Sequence, residues 1–411
     1  MFRKLVTLDE ARKIVQHHYE PKILRVEAVS LLEAHNRVLA ENVIACLDIP
    51  PFDRSTVDGY ALRSEDSFGA DENAPVKLGV CGTISVGEMP RIVVKPNTAA
   101  EIVTGAPIPR GADAVVMAEY TERKNDYVYV QTAVAKSENV MKAGADIHKG
   151  ETVLKAGRLL GSREIGALAA TGLAKINVHK VPTVAVLSTG AEVTELGRRL
   201  PSGKIYDINA YSLSAAVLES GGKPLYLGVF PDDEFELQKT LGQAVASSDM
   251  TVTSGGVSIG PKDLMPKVLN SLGKPGVIVC GIAIKPGKPV TVASLNAKLV
   301  FSLPGHPASA LLVFHLLVRP IIEQMAGRKP EKALIVKADA ATRMFPAKGR
   351  RTFIMVKLKR SESGRFMAEP VPTGLSGAIT TLAGADGFVE IPENQQFVDA
   401  KEKVAVQLFK S

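Results

Sequence analysis

The sequence contains no tryptophan and only three cysteines among its 411 residues. Cys46, Cys81 and Cys280 are far apart and odd in number, which argues against a disulfide framework and a cysteine-based zinc site. None of the seven histidines is followed four residues later by another, so the helical zinc motif is absent as well. We therefore expect neither disulfides nor zinc to hold the fold together.

Long apolar runs and a signal-peptide pattern are also missing. The longest apolar stretch, residues 308–318, is about half of the roughly 20 residues that a membrane helix needs, and His315 interrupts it. Near the N-terminus, Thr7 and Glu10 form a capping box where a signal peptide would have its apolar core. We therefore expect no membrane span and a cytoplasmic location.

Basic runs interleaved with aromatic residues, which are typical of nucleic-acid binding, do not occur either. The net charge of +7 is spread along the chain, which favours a small anionic substrate over nucleic acid. With 45% hydrophobic residues, the chain is long enough to bury cores in two to four domains.

The first part of the chain predicts two helices and a stiff loop. Thr7 should cap an amphipathic helix, and a second helix is predicted over 30–39. Asn36 is expected to mark the end of that second helix, because asparagine tolerates the left-handed backbone conformation of a helix cap. Prolines and an Asp-Gly pair predict an exposed loop over 48–61 that presents Asp53, Ser55 and Asp58, although a plain strand connection is the commoner role of such loops.

Residues 76–161 alternate short strands with Gly and Pro and predict a β-rich insert. From residue 183 to 325 strands alternate with helices, which predicts a doubly wound parallel sheet whose ligands bind at the carboxyl ends of the strands. Residues 331–411 are strand-like and predict a β-barrel or sandwich. Loops that should line the ligand edge carry Glu192, Asp232, Asp233, Asp263, Lys285 and Lys288.

One Gly-rich turn, TSGGVS at 253–258, stands between a predicted strand and a predicted helix. Glycines let the backbone approach a ligand, and the N–H groups at a helix start favour an anion. Asp263 could hold a cation beside that anion, or it could simply cap the helix.

Six motifs in this order resemble those of the molybdopterin molybdenumtransferase family, which includes the gephyrin E domain. The similarity extends from about residue 7 to the C-terminus. The motifs are PPFDRSTVDGYA at 50–61, TGAP at 104–107, STGAE at 188–192, TSGGVS at 253–258, KPGKP at 285–289 and PGHP at 304–307.

The resemblance implies a multidomain α/β protein built around a doubly wound, mostly parallel sheet of the molybdopterin-binding type. It divides the chain into an N-terminal helical and connecting domain (1–45 and 145–178), a β-rich insert (46–144), the α/β domain (179–328) and a C-terminal β-barrel (329–411). It also implies a homodimer with the site at the subunit interface.

The implied reaction is insertion of molybdate into adenylylated molybdopterin with release of AMP, assisted by Mg²⁺. Other molybdenum cofactor biosynthesis proteins are further expected partners. The implied catalytic residues are Asp58, Asp146, Glu192 and Asp263, and the implied metal ligands are Glu192, Asp232 and Asp263, with Asp233 as the alternative to Asp232. The expected substrate-binding residues are Thr104, Ser188, Thr189, Gly190, Ser254, Gly255, Gly256, Ser258, Lys285, Lys288, Pro304, Gly305 and Ser376.

The sequence departs from the family pattern at Arg54, Met141, Ala191, His306 and Met355. Methionine at two positions where the family often has arginine leaves a preference for tungstate over molybdate open. Two other functions also stay open, adenylylation of molybdopterin and a non-catalytic dimeric scaffold.

Overall fold

The computed structural model describes residues 5–256, 264–329, 333–362, 364–371 and 383–409. The chain divides into two compact units. Unit 1 consists of Met1–Glu27, Asn36–Val38 and Asn177–Ser411, and unit 2 consists of Ala28–His35 and Leu39–Ile176. The four domain boundaries taken from the sequence stay a prediction.

Seven α-helices lie in the described part of the chain. In chain order, α1 to α7 span Leu8–His18, Ser162–Ala170, Asn209–Glu219, Glu234–Ser247, Met265–Leu272, Pro307–Val313 and Arg319–Met325.

Helix α1 begins where the capping box predicts. The Thr7 hydroxyl accepts the Glu10 N–H at 3.2 Å, and the Thr7 N–H donates to the Glu10 carboxylate at 2.7 Å. This reciprocal pair satisfies two N–H groups that a helix start otherwise leaves unpaired. The apolar face then buries Leu8, Ala11 and Val15.

The second predicted helix, over 30–39, is wrong. A strand ends at Ser30, and only a single 3₁₀ turn, Leu31–Glu33, follows it. Leu32, which the helical pattern would use to build an apolar face, is 93% exposed. Without that burial the short segment has too little to stabilise a helix. Asn36 does adopt the expected left-handed conformation, with φ 62°.

Eleven short strands precede helix α2. Strands β1 to β11 span Val26–Ser30, Val43–Ile44, Arg54–Ser55, Gly59–Leu62, Val76–Ile84, Thr98–Ile102, Ala114–Met117, Thr121–Lys124, Tyr127–Val130, Val140–Met141 and Thr152–Leu154. Six of them form one sheet in the order β7-β4-β6-β5-β9-β8, which confirms the β-rich insert.

The stiff loop of unit 2 differs from its prediction at Ser55, which is buried rather than presented. Its strand β3 pairs with β10, and the Ser55 hydroxyl donates to the Val57 carbonyl at 2.5 Å. The pairing of β3 with β10 determines the direction in which the Ser55 side chain points. The sequence pattern did not indicate that pairing.

Helix α2 carries a carboxylate that makes unit 2 sensitive to acid. Glu164 is 7% exposed, accepts the Gly161 N–H at 3.0 Å and pairs with Arg158. The Arg158 side chain and the backbone N–H groups lower the pKa of Glu164 from 4.5 to about 2. The folded state thus binds this proton less readily than the unfolded chain.

We expect the stability that Glu164 contributes to be fully present above about pH 4.5 and lost as the pH falls towards about 2. Glu164→Gln should therefore flatten the dependence of the free energy of unfolding on pH in this range. Urea denaturation at several pH values measures this dependence. The matched control is Glu72→Gln, which changes an exposed carboxylate. Equal pH dependence in both variants would contradict the assignment.

Ten strands of the described residues lie between helix α2 and the C-terminal barrel. Strands β12 to β21 span Lys175–His179, Thr183–Thr189, Val193–Thr194, Ile205–Tyr206, Lys223–Phe230, Met250–Ser254, Pro275–Cys280, Ile284–Lys285, Thr291–Leu295 and Lys298–Leu303.

The central sheet has the order β16-β13-β17-β21-β20-β18. The first four strands are parallel, as predicted. Strands β20 and β18 extend the sheet by antiparallel pairing, which the sequence reading did not include. The mostly parallel architecture is confirmed, with an antiparallel edge in addition.

Helices cover both faces of this sheet. Val184 and Val186 of β13 lie in a core with α3 and α6, whereas Ala185 and Leu187 lie in a second core with α4 and α5. Successive strand residues point to opposite faces, so the two cores show that the sheet is doubly wound.

Helices α6 and α7 are joined by a π-helical segment, Phe314–Val318, into one helix. By length and composition Pro307–Met325 could cross a membrane, with hydropathy 1.3, but 72% of its apolar window is buried inside the protein. It therefore packs as a core helix of the sheet domain.

The C-terminal part forms the predicted barrel. Strands β22 to β26 span Ile335–Ala340, Arg351–Arg360, Phe366–Pro370, Gly387–Ile391 and Lys403–Leu408. The pairings β23–β24, β24–β22, β22–β26, β26–β25 and β25–β23 close a ring of five strands. Closure removes the exposed edges that an open sheet would leave.

Candidate functional site

Three parallel strands bring their ends to one edge of the central sheet. Ser188 of β13 is the register partner of Ser254 of β17, and Ser254 is the partner of Leu303 of β21. The loops after these strands therefore begin side by side. The STGAE and PGHP segments and the described part of TSGGVS, residues 253–256, therefore start at the same carboxyl edge.

A cavity of ≈ 470 Å³ lies at this edge. It is lined by Ser188, Thr189, Glu192, Val193, Ile205, Tyr206, Asp207, Ile208, Asn209, Ser254, Gly255, Gly256, Pro289, Pro304, Gly305, His306 and Pro307. Eight predicted site residues lie in this wall, namely Ser188, Thr189, Glu192, Ser254, Gly255, Gly256, Pro304 and Gly305.

The glycine pair after β17 forms the tightest part of the wall. Gly255 has φ 88°, and a Cβ atom there would lie 2.1 Å from the Thr189 carbonyl oxygen. Gly256 has φ 66°, and its Cβ would lie 2.6 Å from the Thr189 hydroxyl. Only glycine fits both this conformation and this approach, so the turn exposes bare backbone to the cavity.

Asn209 is a wall residue that the sequence reading treated only as a helix start. It is 8% exposed, and its Nδ2 donates to the Ser254 hydroxyl and to the Gly305 carbonyl, both at 2.6 Å. Asn209 therefore ties together the loops after β17 and β21. Its Oδ1 has no hydrogen-bond partner among the described residues.

Asp207 is a second wall residue that the sequence reading missed. It is 2% exposed, and its Oδ1 accepts the Ser188 hydroxyl at 2.9 Å and the Ala210 N–H at 3.0 Å. Its Oδ2 has no hydrogen-bond partner within 3.5 Å in the described ranges. Burial raises the pKa of Tyr226 to about 12, and the Asp207 charge and a weaker side-chain hydrogen bond with Asp207 add to this rise. The sequence signal was available, because Asp207 and Asn209 stand two residues apart at a helix start.

The two neighbouring acids, Asp232 and Asp233, have different surroundings. Asp233 is the N-cap of α4 and accepts the N–H groups of Phe235 and Glu236 at 3.0 Å each. Asp232 Oδ1 lies 3.5 Å from the position of a Cβ on Gly256. The Asp233 carboxylate is therefore used as the helix cap, whereas the Asp232 carboxylate lies beside the glycine turn.

Glu192 also lies at this edge, since a Cβ on Gly190 would be 2.9 Å from its Oε1. Mg²⁺ is usually held by one or two carboxylates together with substrate phosphates and water, and Glu192 and Asp232 supply such a donor set. The Thr189 hydroxyl is buried there without a partner in the described chain, which adds an oxygen suited to a cation or a phosphate.

No group of three or more His, Cys, Asp and Glu residues in the described part of the chain could hold a metal by itself. The predicted metal ligand Asp263 and the predicted substrate residues Ser258 and Ser376 lie outside the described residues. Their assigned roles stay predictions.

The two lysines of the predicted anion cradle do not line this cavity, and their role stays a prediction. Pro289 of the KPGKP segment lines the cavity, but Lys285 and Lys288 are not among its wall residues. Lys285 is exposed on β19, and the Lys288 carbonyl accepts the N–H groups of Ile282 and Val290. The pairing of β19 with the barrel strand β23 positions this segment.

In unit 2 the structure brings together Asp58 and Thr104. The Thr104 N–H and hydroxyl donate to Asp58 Oδ1 at 2.6 and 2.8 Å. These bonds hold the pKa of Asp58 below its usual value. Asp53 is paired with Lys142 at 2.8 Å, and Asp146 is exposed.

Some departures from the family pattern have a visible structural place. The Arg54 guanidinium contacts the Met141 sulfur at 3.3 Å in unit 2. In unit 1 Met355 is 2% exposed in the core, and His306 stands at the N-cap of α6 in the cavity wall. Met355 therefore has a packing role, whereas His306 faces the site.

A doubly wound sheet with a glycine-lined cavity at its carboxyl edge defines a ligand-binding α/β domain. Three family models match the chain: "MoeA N-terminal region (domain I and II)" at 6–172, "Probable molybdopterin binding domain" at 185–324 and "MoeA C-terminal region (domain IV)" at 337–409. The cavity lies within the second of these ranges.

Curated relatives match over nearly the whole chain. The molybdopterin molybdenumtransferase of Nostoc sp. is 34% identical, covering 92% of this chain and 88% of its own. The one of Bacillus subtilis is 32% identical, covering 99% and 95%. A crystal structure of the molybdopterin biosynthesis moeA protein from Pyrococcus horikoshii is 33% identical, covers 99% of this chain and 100% of its own, and has a TM-score of 0.78. The chain belongs to the molybdopterin molybdenumtransferase family, whose named members are transferases of molybdenum cofactor biosynthesis.

Proposed function

We propose that this protein inserts molybdate into adenylylated molybdopterin and releases AMP, with the help of Mg²⁺. The observation that carries the proposal is the cavity at the strand ends of the molybdopterin-binding domain, with a bare glycine backbone and unpaired buried oxygens in its wall. Both substrates are anions, and such a wall recognises phosphate through N–H groups and hydroxyls.

The wall residues have distinct proposed tasks. Gly255 and Gly256 let the backbone approach the phosphates, and the Ser188, Thr189 and Ser254 hydroxyls lie at the same edge. Glu192 and Asp232 would hold Mg²⁺, which when bound would neutralise charge on the leaving phosphate. Lys285 and Lys288 would add positive potential for the oxyanion from outside the cavity wall.

The test is an assay of AMP release. Purified protein is mixed with adenylylated molybdopterin, Mg²⁺ and either molybdate or tungstate. We expect AMP only when an oxyanion is present, together with a pterin product that carries the metal. AMP release with tungstate alone would indicate a tungstate-selective enzyme of the same family. In a separate mixture that contains ATP and molybdopterin but no oxyanion, ATP consumption would indicate molybdopterin adenylylation instead.

We further propose that the active protein is a homodimer, because the family resemblance implies a site composed from two subunits. Large apolar side chains of unit 1 stay exposed in one chain, including Leu218 at 58% and Phe235 at 72%. Light scattering of active protein should give twice the 43.7 kDa of one chain. An active species with the mass of one chain would overturn this part of the proposal. A dimer without any turnover would favour a scaffold role.

The proposal includes a cytoplasmic location and contacts with other molybdenum cofactor biosynthesis proteins.

A further inference from the structure

Two residues that line the cavity each carry a buried acceptor atom with no hydrogen-bond partner within 3.5 Å in the described chain, Asp207 Oδ2 and Asn209 Oδ1. A buried acceptor without a hydrogen bond costs about 1–3 kcal/mol, so proteins seldom keep one unless it serves another purpose. Two such atoms in the wall of one cavity indicate a ligand that brings hydrogen-bond donors.

The fold places these two residues side by side. Asp207 is bonded to Ser188 at the end of β13, and Asn209 is bonded to Ser254 at the end of β17. Ser188 and Ser254 are register partners, and adjacent strands lie about 4.8 Å apart. One planar ring system can therefore reach both acceptors.

The hydrogen bonds that Asp207 and Asn209 already make determine which of their side-chain atoms remain for a ligand. Asp207 Oδ1 is already used by Ser188 and Ala210, and Asn209 Nδ2 is already used by Ser254 and Gly305. What remains on each side chain is an acceptor. The amide cannot turn over without breaking two bonds of 2.6 Å, so the site presents two acceptors rather than an acceptor and a donor.

We propose that Asp207 and Asn209 bind the pterin end of the substrate by accepting hydrogen bonds from its amino group and the neighbouring ring N–H. This inference rests on the proposed function and assigns the pterin subsite within it. A 2-amino-4-oxopyrimidine ring carries two adjacent donors on one edge, one for Asp207 Oδ2 and one for Asn209 Oδ1. Adenine offers one amino donor beside an acceptor nitrogen, so it fits this pair less well.

The occupant that competes with a pterin is a cation. Mg²⁺ demands near-octahedral oxygen coordination, whereas the Asp207 charge is already shared with two donors, Ser188 and Ala210. The described residues around the pair also include no cluster of three metal-ligating acids, histidines or cysteines. The surroundings therefore favour N–H donors.

The test uses fluorescence titration of the full chain with 6-hydroxymethylpterin and with 6-hydroxymethyllumazine, which has an oxygen in place of the 2-amino group. The unaltered protein should bind the pterin at least about tenfold tighter, because the lumazine oxygen would face an acceptor. Asp207→Asn keeps one acceptor for Ser188 and Ala210, so the fold should persist. It should weaken pterin binding by about tenfold or more and abolish the preference.

Two controls separate the explanations. AMP affinity should be the same in Asp207→Asn and in the unaltered protein, because the inference assigns Asp207 to the pterin end and not to the adenylate. Tyr226→Phe, which removes the phenol next to Asp207, should keep the pterin preference. If Asp207→Asn does not fold, equal binding of the two probes by the unaltered protein still overturns the inference.

Equal binding of the two probes by the unaltered protein would overturn the inference. Unchanged pterin affinity in Asp207→Asn would overturn it too. Loss of Mg²⁺ binding in calorimetry with pterin affinity intact would show a cation site instead. The AMP assay tests the proposed function separately, since a protein that discriminates the probes but releases no AMP would retain this inference and lose that function.

Discussion

Replacing Gly255 by alanine is expected to abolish AMP release and to destabilise unit 1. The new Cβ would lie 2.1 Å from the Thr189 carbonyl oxygen, and φ is 88°. A backbone atom cannot move aside as a flexible side chain can, so the turn after β17 must shift. The conformation costs about 1–2 kcal/mol and the overlap about 1–3 kcal/mol more. We expect AMP release to fall at least about hundredfold, because the shift displaces the wall that approaches the phosphates.

The matched control for this substitution is Gly197→Ala. Gly197 also has positive φ, 80°, but nothing lies within 4 Å of its Cβ position. This variant should lose only about 1 kcal/mol and keep its activity. Urea denaturation and the AMP assay on both variants separate conformational strain from the close approach. Similar activity in the two variants would show that the Gly255 turn does not contact the substrate.

Asp232→Asn is expected to lower Mg²⁺-dependent AMP release by at least about tenfold, which corresponds to about 1.4 kcal/mol of transition-state stabilisation. The side chain lies beside Gly256, and removing its charge weakens a carboxylate ligand for Mg²⁺ without changing its size. The loss should be partly recovered at higher Mg²⁺ concentration. Thermal melting should change little, because the preceding strand and the following cap do not use this side chain.

Asp233→Asn is the matched control, one residue away. Asp233 caps α4 by accepting the Phe235 and Glu236 N–H groups, and asparagine caps a helix about as well as aspartate. Activity and stability should both stay near those of the unaltered protein. If both variants lose AMP release equally, the division of roles between the two acids is wrong. If neither loses it, Asp232 is not a metal ligand.

Local signals in the sequence were enough for much of unit 1. The capping box of α1 depends on two residues three apart, Thr7 and Glu10, and the structure has it as predicted. The alternation of strand and helix from β13 to α5 and the final strand-helix step from β21 to α6 depend on periods of a few residues, and they too are confirmed. The strand-like C-terminal segment closes into the expected barrel.

Pairing between distant segments was not readable in this way. The strands β18 and β20 were not predicted, because a short apolar run in the sequence does not show which strand it pairs with or in which direction. Ser55 is buried through its pairing with a strand that lies 85 residues further on, at Val140. The predicted helix over 30–39 failed because its Leu32 finds no core to pack against.

The same difference between local signals and contacts of distant segments applies to the candidate site. By itself the sequence determined the motifs at the strand ends, including the glycine pair at 255 and 256, but the close approach of that pair to Thr189 follows from the tertiary structure. Only the tertiary structure decided that Asp232 rather than Asp233 is left beside the turn, because the helix cap takes one of the two. It also decided that Asp207 and Asn209 present unpaired acceptors, since their partners Ser188 and Ser254 come together only through the register of the parallel sheet.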